Sequence, residues 1–155
     1  MNYFHFYQSC VPCILVFSII KTIEMDTQIK YYEQKLAFEM DPSDLFEALN
    51  NGTKLIALDA RKAVGFEAEH IPGAIHLPHG EMNEARTKHL DKDFLYVVYC
   101  DGIGCNASTK GALNMAKLGF KVRELIGGLA WWKFDGYATS GTKSDSSGEM
   151  VQCAC

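Results

Sequence analysis

Between Cys13 and Cys100 the chain has no cysteine. The body of the protein is therefore not stapled by disulfides of its own, and it must hold together by packing. The six cysteines fall as three close pairs, Cys10/Cys13, Cys100/Cys105 and Cys153/Cys155, which is not the spacing of a disulfide framework. Reduced thiols in a cytoplasmic protein are the default reading, with chemistry rather than cross-linking as the reason to keep them. A cluster of Lys and Arg is also missing. With a formal net charge of -4, the chain carries no electrostatic footprint for a nucleic-acid partner. The first twenty residues, MNYFHFYQSCVPCILVFSII, lack any Lys, Arg, Asp or Glu. A secretory signal wants a positive start, and here no cation precedes Lys21. Pro12 splits the apolar run, and residues 11–20 alone are too short to span a bilayer. Three readings stay open: a short anchor or divergent signal, a segment packed on the domain, or a start-site artefact, since Met25 opens a plausible soluble start. Membrane contact follows only if the segment is kept as an anchor.

What is present is globular. The hydrophobic fraction is 48% with 22% charged, and 155 residues give room for one domain plus tails. We expect an apolar extension over residues 1–27, a domain over 28–139 and a flexible polar tail over 140–155 that ends in Cys-Ala-Cys. KLAFEM (Lys35 to Met40) reads as a short strand. DPSDLFEALNNG follows as a helix capped by Asp41 or Ser43, with Pro42 in its first turn and Gly52 closing it. KLIALDA is a strand, KAVGFEAEH a short helix, AIHLP a short strand and GEMNEARTKHL helical. FLYVVYC (Phe94 to Cys100) is aromatic and β-branched and gives the clearest strand. ASTKGALNMAKLG is a helix closed by Gly119, KVRELI a last strand, and GLAWWKFDG a short aromatic helix. Strands that alternate with helices, with central strands that are nearly continuous apolar runs, define an α/β fold with a mainly parallel sheet of about five strands covered on both faces. In such sheets ligands bind beyond the carboxyl ends of the strands, and Cys100 stands at one of those ends.

The stretch YVVYCDGIGCNASTKGAL thus carries a thiol at the mouth of a strand-to-helix loop. Gly102 and Gly104 allow the backbone to curl so that amides point inward. The following helix adds partial positive charge. Both effects favour thiolate, and so predict a nucleophilic Cys100 with a lowered pKa in an anion-binding loop. A buried structural cysteine before an ordinary turn is the competing reading.

These residues resemble the active-site loop of the rhodanese sulfurtransferase family, and three further segments agree in order. Leu58-Asp59-Ala60-Arg61 matches a strand-end D-x-R. EHIPGAIHLP is similar to a GHIPGA-type segment, with Glu69 in place of Gly. LGFKVRELIGGLAWW fits a closing G-G-x-x-x-W through Gly127, Gly128 and Trp132. The resemblance covers about Tyr31 to Tyr137. It implies a rhodanese-like three-layer fold in which Cys100 takes a sulfane sulfur from a small-molecule donor such as thiosulfate. The resulting persulfide passes its sulfur to cyanide, a thiol or a protein acceptor by double displacement. No metal or organic cofactor is required. The amides of Asp101, Gly102, Ile103, Gly104, Cys105, Asn106 and Ala107 would hold the persulfide.

The loop departs from the family's common C-x-x-G-x-R. CDGIGCN is one residue longer, with Asn106 where an arginine would stand. Its length resembles that of cysteine-dependent phosphatases and arsenate reductases of the same fold, but those grip an oxyanion with an arginine that Asn106 cannot replace. A module that carries or senses sulfur without turnover is the non-enzyme alternative. Lys110 is the nearby cation for an anionic donor, or else a solvated helix lysine. Asp59 and Arg61 are expected to orient loops through a partly buried ion pair. Cys105 could resolve an adduct on Cys100 by an intraloop disulfide, or could simply fill space. Cys153 and Cys155, on a tethered tail, could accept sulfur from Cys100 or resolve it by disulfide exchange, with a soft-metal site, alone or with Cys10 and Cys13, and an unemployed tail as the competing readings. His70 is expected to satisfy backbone groups. His76 and His79 lack a carboxylate or thiol partner that would make them a metal site. Trp131 and Trp132 are read as core and lid aromatics.

Overall fold

The computed structural model describes residues 11–143, with side chains from residue 24 onward. The chain divides into two compact units, the first ending at Ala37 and the second beginning at Phe38. The described part of the first is helical, within α1 (Val11–Phe38), which is about 42 Å long at 1.5 Å per residue. Pro12 falls in its first turn, where the missing N–H costs nothing. From Glu24 on it leaves Met25, Ile29, Tyr31, Tyr32 and Leu36 exposed. Among the described residues, no helix is long and apolar enough to cross a membrane. The strand expected over Lys35 to Met40 is mostly absent. Helix α1 runs on to Phe38, and only β1 (Glu39–Met40) is extended, because only those two residues find partners on a neighbouring strand.

The second unit continues with α2 (Pro42–Asn50), β2 (Leu55–Asp59), α3 (Ala63–Ala68) and β3 (Ile75–His76). A 3-10 turn (His79–Glu81) and α4 (Glu84–Thr87) replace the single helix expected over this segment. Asn83 breaks it by capping α4, its side chain accepting from the Arg86 amide. Then come β4 (Leu95–Tyr99), α5 (Ala107–Lys117), β5 (Lys121–Leu125) and α6 (Gly128–Phe134). Asp41 caps α2 through the Asp44 amide at 2.8 Å, and Gly119 ends α5 in the left-handed region with φ +82°.

All five strands run parallel in the order β1-β5-β4-β2-β3. Side chains of β4 alternate between two cores. Val97 and Tyr99 join Leu45 of α2 and Leu129 and Trp132 of α6. Tyr96 and Val98 join Met115 of α5, Met82 and Phe120. Helices therefore cover both faces of the sheet, which makes three layers. Chain order reverses between β4 and β2, so the carboxyl ends of these two strands border the crevice where such folds place ligands. Beyond Tyr137 the chain stays attached as far as it is described. His70 and Ser140 exchange two backbone hydrogen bonds of 2.8 Å, and the amides of Thr142 and Lys143 donate to Glu67 and Ala68.

Candidate active site

Cys100 leaves β4 and is only 1% exposed. Two backbone bonds fix its exit, for the amides of Leu129 and Ala130, at the start of α6, donate to the carbonyls of Cys100 and Asp101 at 2.9 and 2.8 Å. This close crossing explains the glycine pair. Gly127 and Gly128 have φ of +73° and +56°, and a Cβ on Gly128 would collide with the Cys100 carbonyl oxygen. The expected use of Gly102 and Gly104 is different. Neither has positive φ. The loop turns instead by a Cys105 amide bond to the Gly102 carbonyl at 3.0 Å, and Gly102 is small because Ala130 of α6 lies against it.

The thiol itself corrects the expected charge state. Its Sγ lies 3.0 Å from the Cys105 carbonyl, 3.7 Å from that of Gly102 and 3.3 Å from Ser108 Oγ. Burial pushes the Cys100 thiol above its ordinary range, with the Cys105 contact adding to the shift. Contacts with Ser108 and the Gly102 amide oppose it without overcoming it. Burial outweighs the helix start and the loop amides, and the carbonyls of Cys105 and Gly102 lie against the sulfur as well.

Around the thiol stands a polar frame anchored on Arg61. Its Nε and Nη2 bond both oxygens of Asp59 at 2.7 to 3.2 Å, its Nη1 bonds Asp101 at 2.8 Å, and Nη2 also donates to the Glu69 carbonyl at 2.6 Å. Asp59 is fully buried and the Arg61 side chain 7% exposed. Burial works against the guanidinium charge, but the bonds to Asp59 and Asp101 outweigh it and raise its pKa. Arg61 thus links the end of β2, the segment after α3 and the cysteine loop. His70 Nδ1 sits 2.7 Å from the Phe66 carbonyl and His76 Nε2 3.0 Å from the Arg61 carbonyl, with Phe66 stacked against both rings. Trp132 is buried with Nε1 donating to the Ala138 carbonyl, while Trp131 is half exposed.

Beside the loop opens a cavity of about 690 Å³ whose wall includes Arg61, Lys62, Val64, His79, Asp101 and Cys105. Lys110 lies on the first turns of α5, exposed, and does not line it; Arg61 and Lys62 are the cations that do. Among the described residues no group of three or more His, Cys, Asp or Glu side chains could hold a metal. Cys10, Cys153 and Cys155 lie outside the described residues, as does the side chain of Cys13. Two residues near the thiol escaped the sequence reading. Ser108, 3% exposed, faces the sulfur, and Glu124 of β5 accepts from Ser108 and Thr109 at 2.7 and 2.9 Å. The signal was a carboxylate in a central parallel strand, a place that ordinarily holds apolar residues.

A three-layer parallel sheet with a cysteine at the end of its middle strand, looped into a helix, defines a class of cysteine-dependent α/β domains. Within that class the chain belongs to the rhodanese-like domain family, whose model matches residues 41–135. It is 37% identical over 81 residues to "Thiosulfate sulfurtransferase GlpE" of Coxiella burnetii, covering 51% of this chain and 72% of that protein. It is 30% identical over 87 residues to "Putative sulfur carrier protein YrkF" of Bacillus subtilis, covering 56% of this chain and 45% of the relative, so the match spans less than half of that protein. Among solved structures, protein BH2092 of Bacillus halodurans superposes with a TM-score of 0.73 at 38% identity, over 77% of this chain and 88% of that one.

Proposed function

We propose that this protein is a sulfurtransferase whose reacting atom is Cys100 Sγ. The thiolate attacks the sulfane sulfur of thiosulfate or another persulfide donor. The bond to the donor breaks, sulfite or the donor thiolate leaves, and a Cys100 persulfide remains. A second nucleophile, cyanide or a thiol, takes the outer sulfur and returns the thiolate. Neither step needs an outside oxidant or a cofactor. The observation that carries the reading is the position of Cys100, a single thiol delivered by the middle strand into a loop pinned by α6 and Arg61. The amides of residues 101–107 are assigned to the persulfide, which requires the loop to turn them inward once sulfur is bound. Lys62 is the cation offered to an anionic donor entering by the cavity, with Arg61, held by Asp59 and Asp101, in the same wall. Cys105, in the cavity wall, and the tail thiols Cys153 and Cys155 are candidate acceptors. We place the reaction in a reducing, cytoplasmic setting.

A phosphatase reading is disfavoured. The loop carries no arginine, and Arg61 is already committed to Asp59 and Asp101. A sulfur carrier is the second reading, because Cys100 is sealed at 1% exposure and a relative is named for that role.

Incubation with thiosulfate should add one sulfur atom by intact mass, and cyanide should then release thiocyanate repeatedly. Loading without repeated release would identify a carrier. Sulfur uptake by Cys100→Ser at the same peptide would overturn the assignment.

A further inference from the structure

Ser108 joins the reacting thiol to the sheet. Its Oγ is 3.3 Å from Cys100 Sγ and 2.7 Å from Glu124 Oε1, and Thr109 Oγ1 is 2.9 Å from the same carboxylate oxygen. An ionised carboxylate only accepts, so the Ser108 and Thr109 hydroxyl protons both point to Glu124. A hydroxyl has one proton. While Ser108 donates it to Glu124, its oxygen can only accept from Cys100 S–H. The carbonyls of Cys105 and Gly102 are acceptors as well. The sulfur is thus met by three oxygens that can accept from it, opposed by the amides of Gly102 and Ser108, and the Ser108 hydroxyl favours the anion only when its proton turns toward sulfur.

We propose that Glu124 is a positioning residue for Cys100: by holding the Ser108 hydroxyl proton, it keeps the unloaded cysteine as a thiol, and turning that proton toward sulfur is the step that favours the anion. No atom is gained or lost in the step; the Ser108 O–H exchanges one acceptor, the carboxylate, for another, the sulfur. The charged and titratable groups on the surrounding elements are these. Glu39 of β1 stands in register with Glu124. Arg123 is its neighbour on β5, and Lys110 follows Thr109 on α5. Asp101, paired to Arg61, and Cys105 share the loop with Cys100, which α6 approaches with backbone amides. Ser108 of α5 touches both the thiol and the carboxylate.

The inference rests on Cys100 as the reacting thiol, but its test does not use sulfur transfer. The rate of Cys100 alkylation by iodoacetamide is followed against pH on the full chain, with Cys100 modification read by peptide mass. Glu124→Met removes the acceptor at similar length and should move the midpoint down by about one pH unit, which is about tenfold faster alkylation near neutral pH. Glu124→Gln should shift it in the same direction by less, because a neutral amide still holds the hydroxyl weakly. In a Ser108→Ala background the Glu124 substitutions should add nothing. Circular dichroism and thermal unfolding establish that each variant is folded, and the milder Gln variant keeps the test decisive if Met is not tolerated. A midpoint that stays or rises in a folded Glu124 variant overturns the proposal. So does a full shift that survives in Ser108→Ala, which would mean that the carboxylate acts by its field alone. Failure of thiosulfate to load Cys100 would leave these alkylation results standing, so the two readings fail separately.

Discussion

At the scale of single residues the site depends on groups that never touch the sulfur. Arg61 holds Asp59, Asp101 and the Glu69 carbonyl at once. Arg61→Ala would leave Asp59 charged, fully buried and unpaired, and should cost about 3 to 5 kcal/mol in urea unfolding. Arg61→Lys keeps the charge but loses the planar fork and should recover only part of that. Wild-type stability in Arg61→Ala would refute the pairing as the anchor. Gly128 is equally exacting. Alanine there must adopt φ +56° and displace the Cys100 carbonyl, so Gly128→Ala should cost about 2 to 3 kcal/mol. It should also cut sulfur uptake although the thiol is intact. Uptake at the wild-type rate would show that the α6 crossing does not set the cysteine's position.

At the scale of elements, α6 acts as a clamp. Its first amides hold the loop, and Trp132 on its inner side fills the core with Phe46 and Tyr137. Trp132→Ala should therefore destabilise by about 3 to 5 kcal/mol and reduce uptake in parallel, measured by thermal unfolding beside the thiosulfate assay. Residues 140–143 form a second tie, bonded to the end of α3 and to His70. Beside it, Glu69 bonds Lys133 of α6 at 2.7 Å and Thr139 at 2.9 Å. Burial would raise the Glu69 pKa, yet these partners lower it. A carboxyl whose folded pKa is depressed adds stability that is present above its unfolded value near 4.3 and is lost as pH falls through the folded value. Because the pair is partly exposed, Lys133→Ala should cost only about 0.2 to 1 kcal/mol at pH 7. The difference from wild type should vanish in acid, which urea melts across the acid range would show.

At the scale of the whole molecule, the proposed transfer must end on an acceptor, and the tail thiols are candidates within the chain. Cutting the chain after Lys143 keeps the tie to α3 and removes Cys153 and Cys155. If the tail thiols accept sulfur, the Cys100 persulfide should live longer in the shortened protein, read by intact mass against time; equal lifetimes would remove the tail from the pathway.

The order of elements was legible because alternation of apolar strands and capped helices is a local property. FLYVVYC could only be a central strand, and Asp41-Pro42 and Gly119 marked helix ends by their own conformational limits. The glycine pair Gly127-Gly128 was visible as a motif, but its reason was not. Only the folded chain brings the Cys100 carbonyl against it. The strand expected from Lys35 was misjudged because β1 exists only where β5 offers partners. The sequence alone determined that one cysteine would stand at the end of a parallel strand and open into a helix. Its charge state was decided elsewhere. Burial of the thiol comes from segments that meet at Cys100 only in three dimensions, and it outweighs the contacts that the cysteine's own loop and helix start supply.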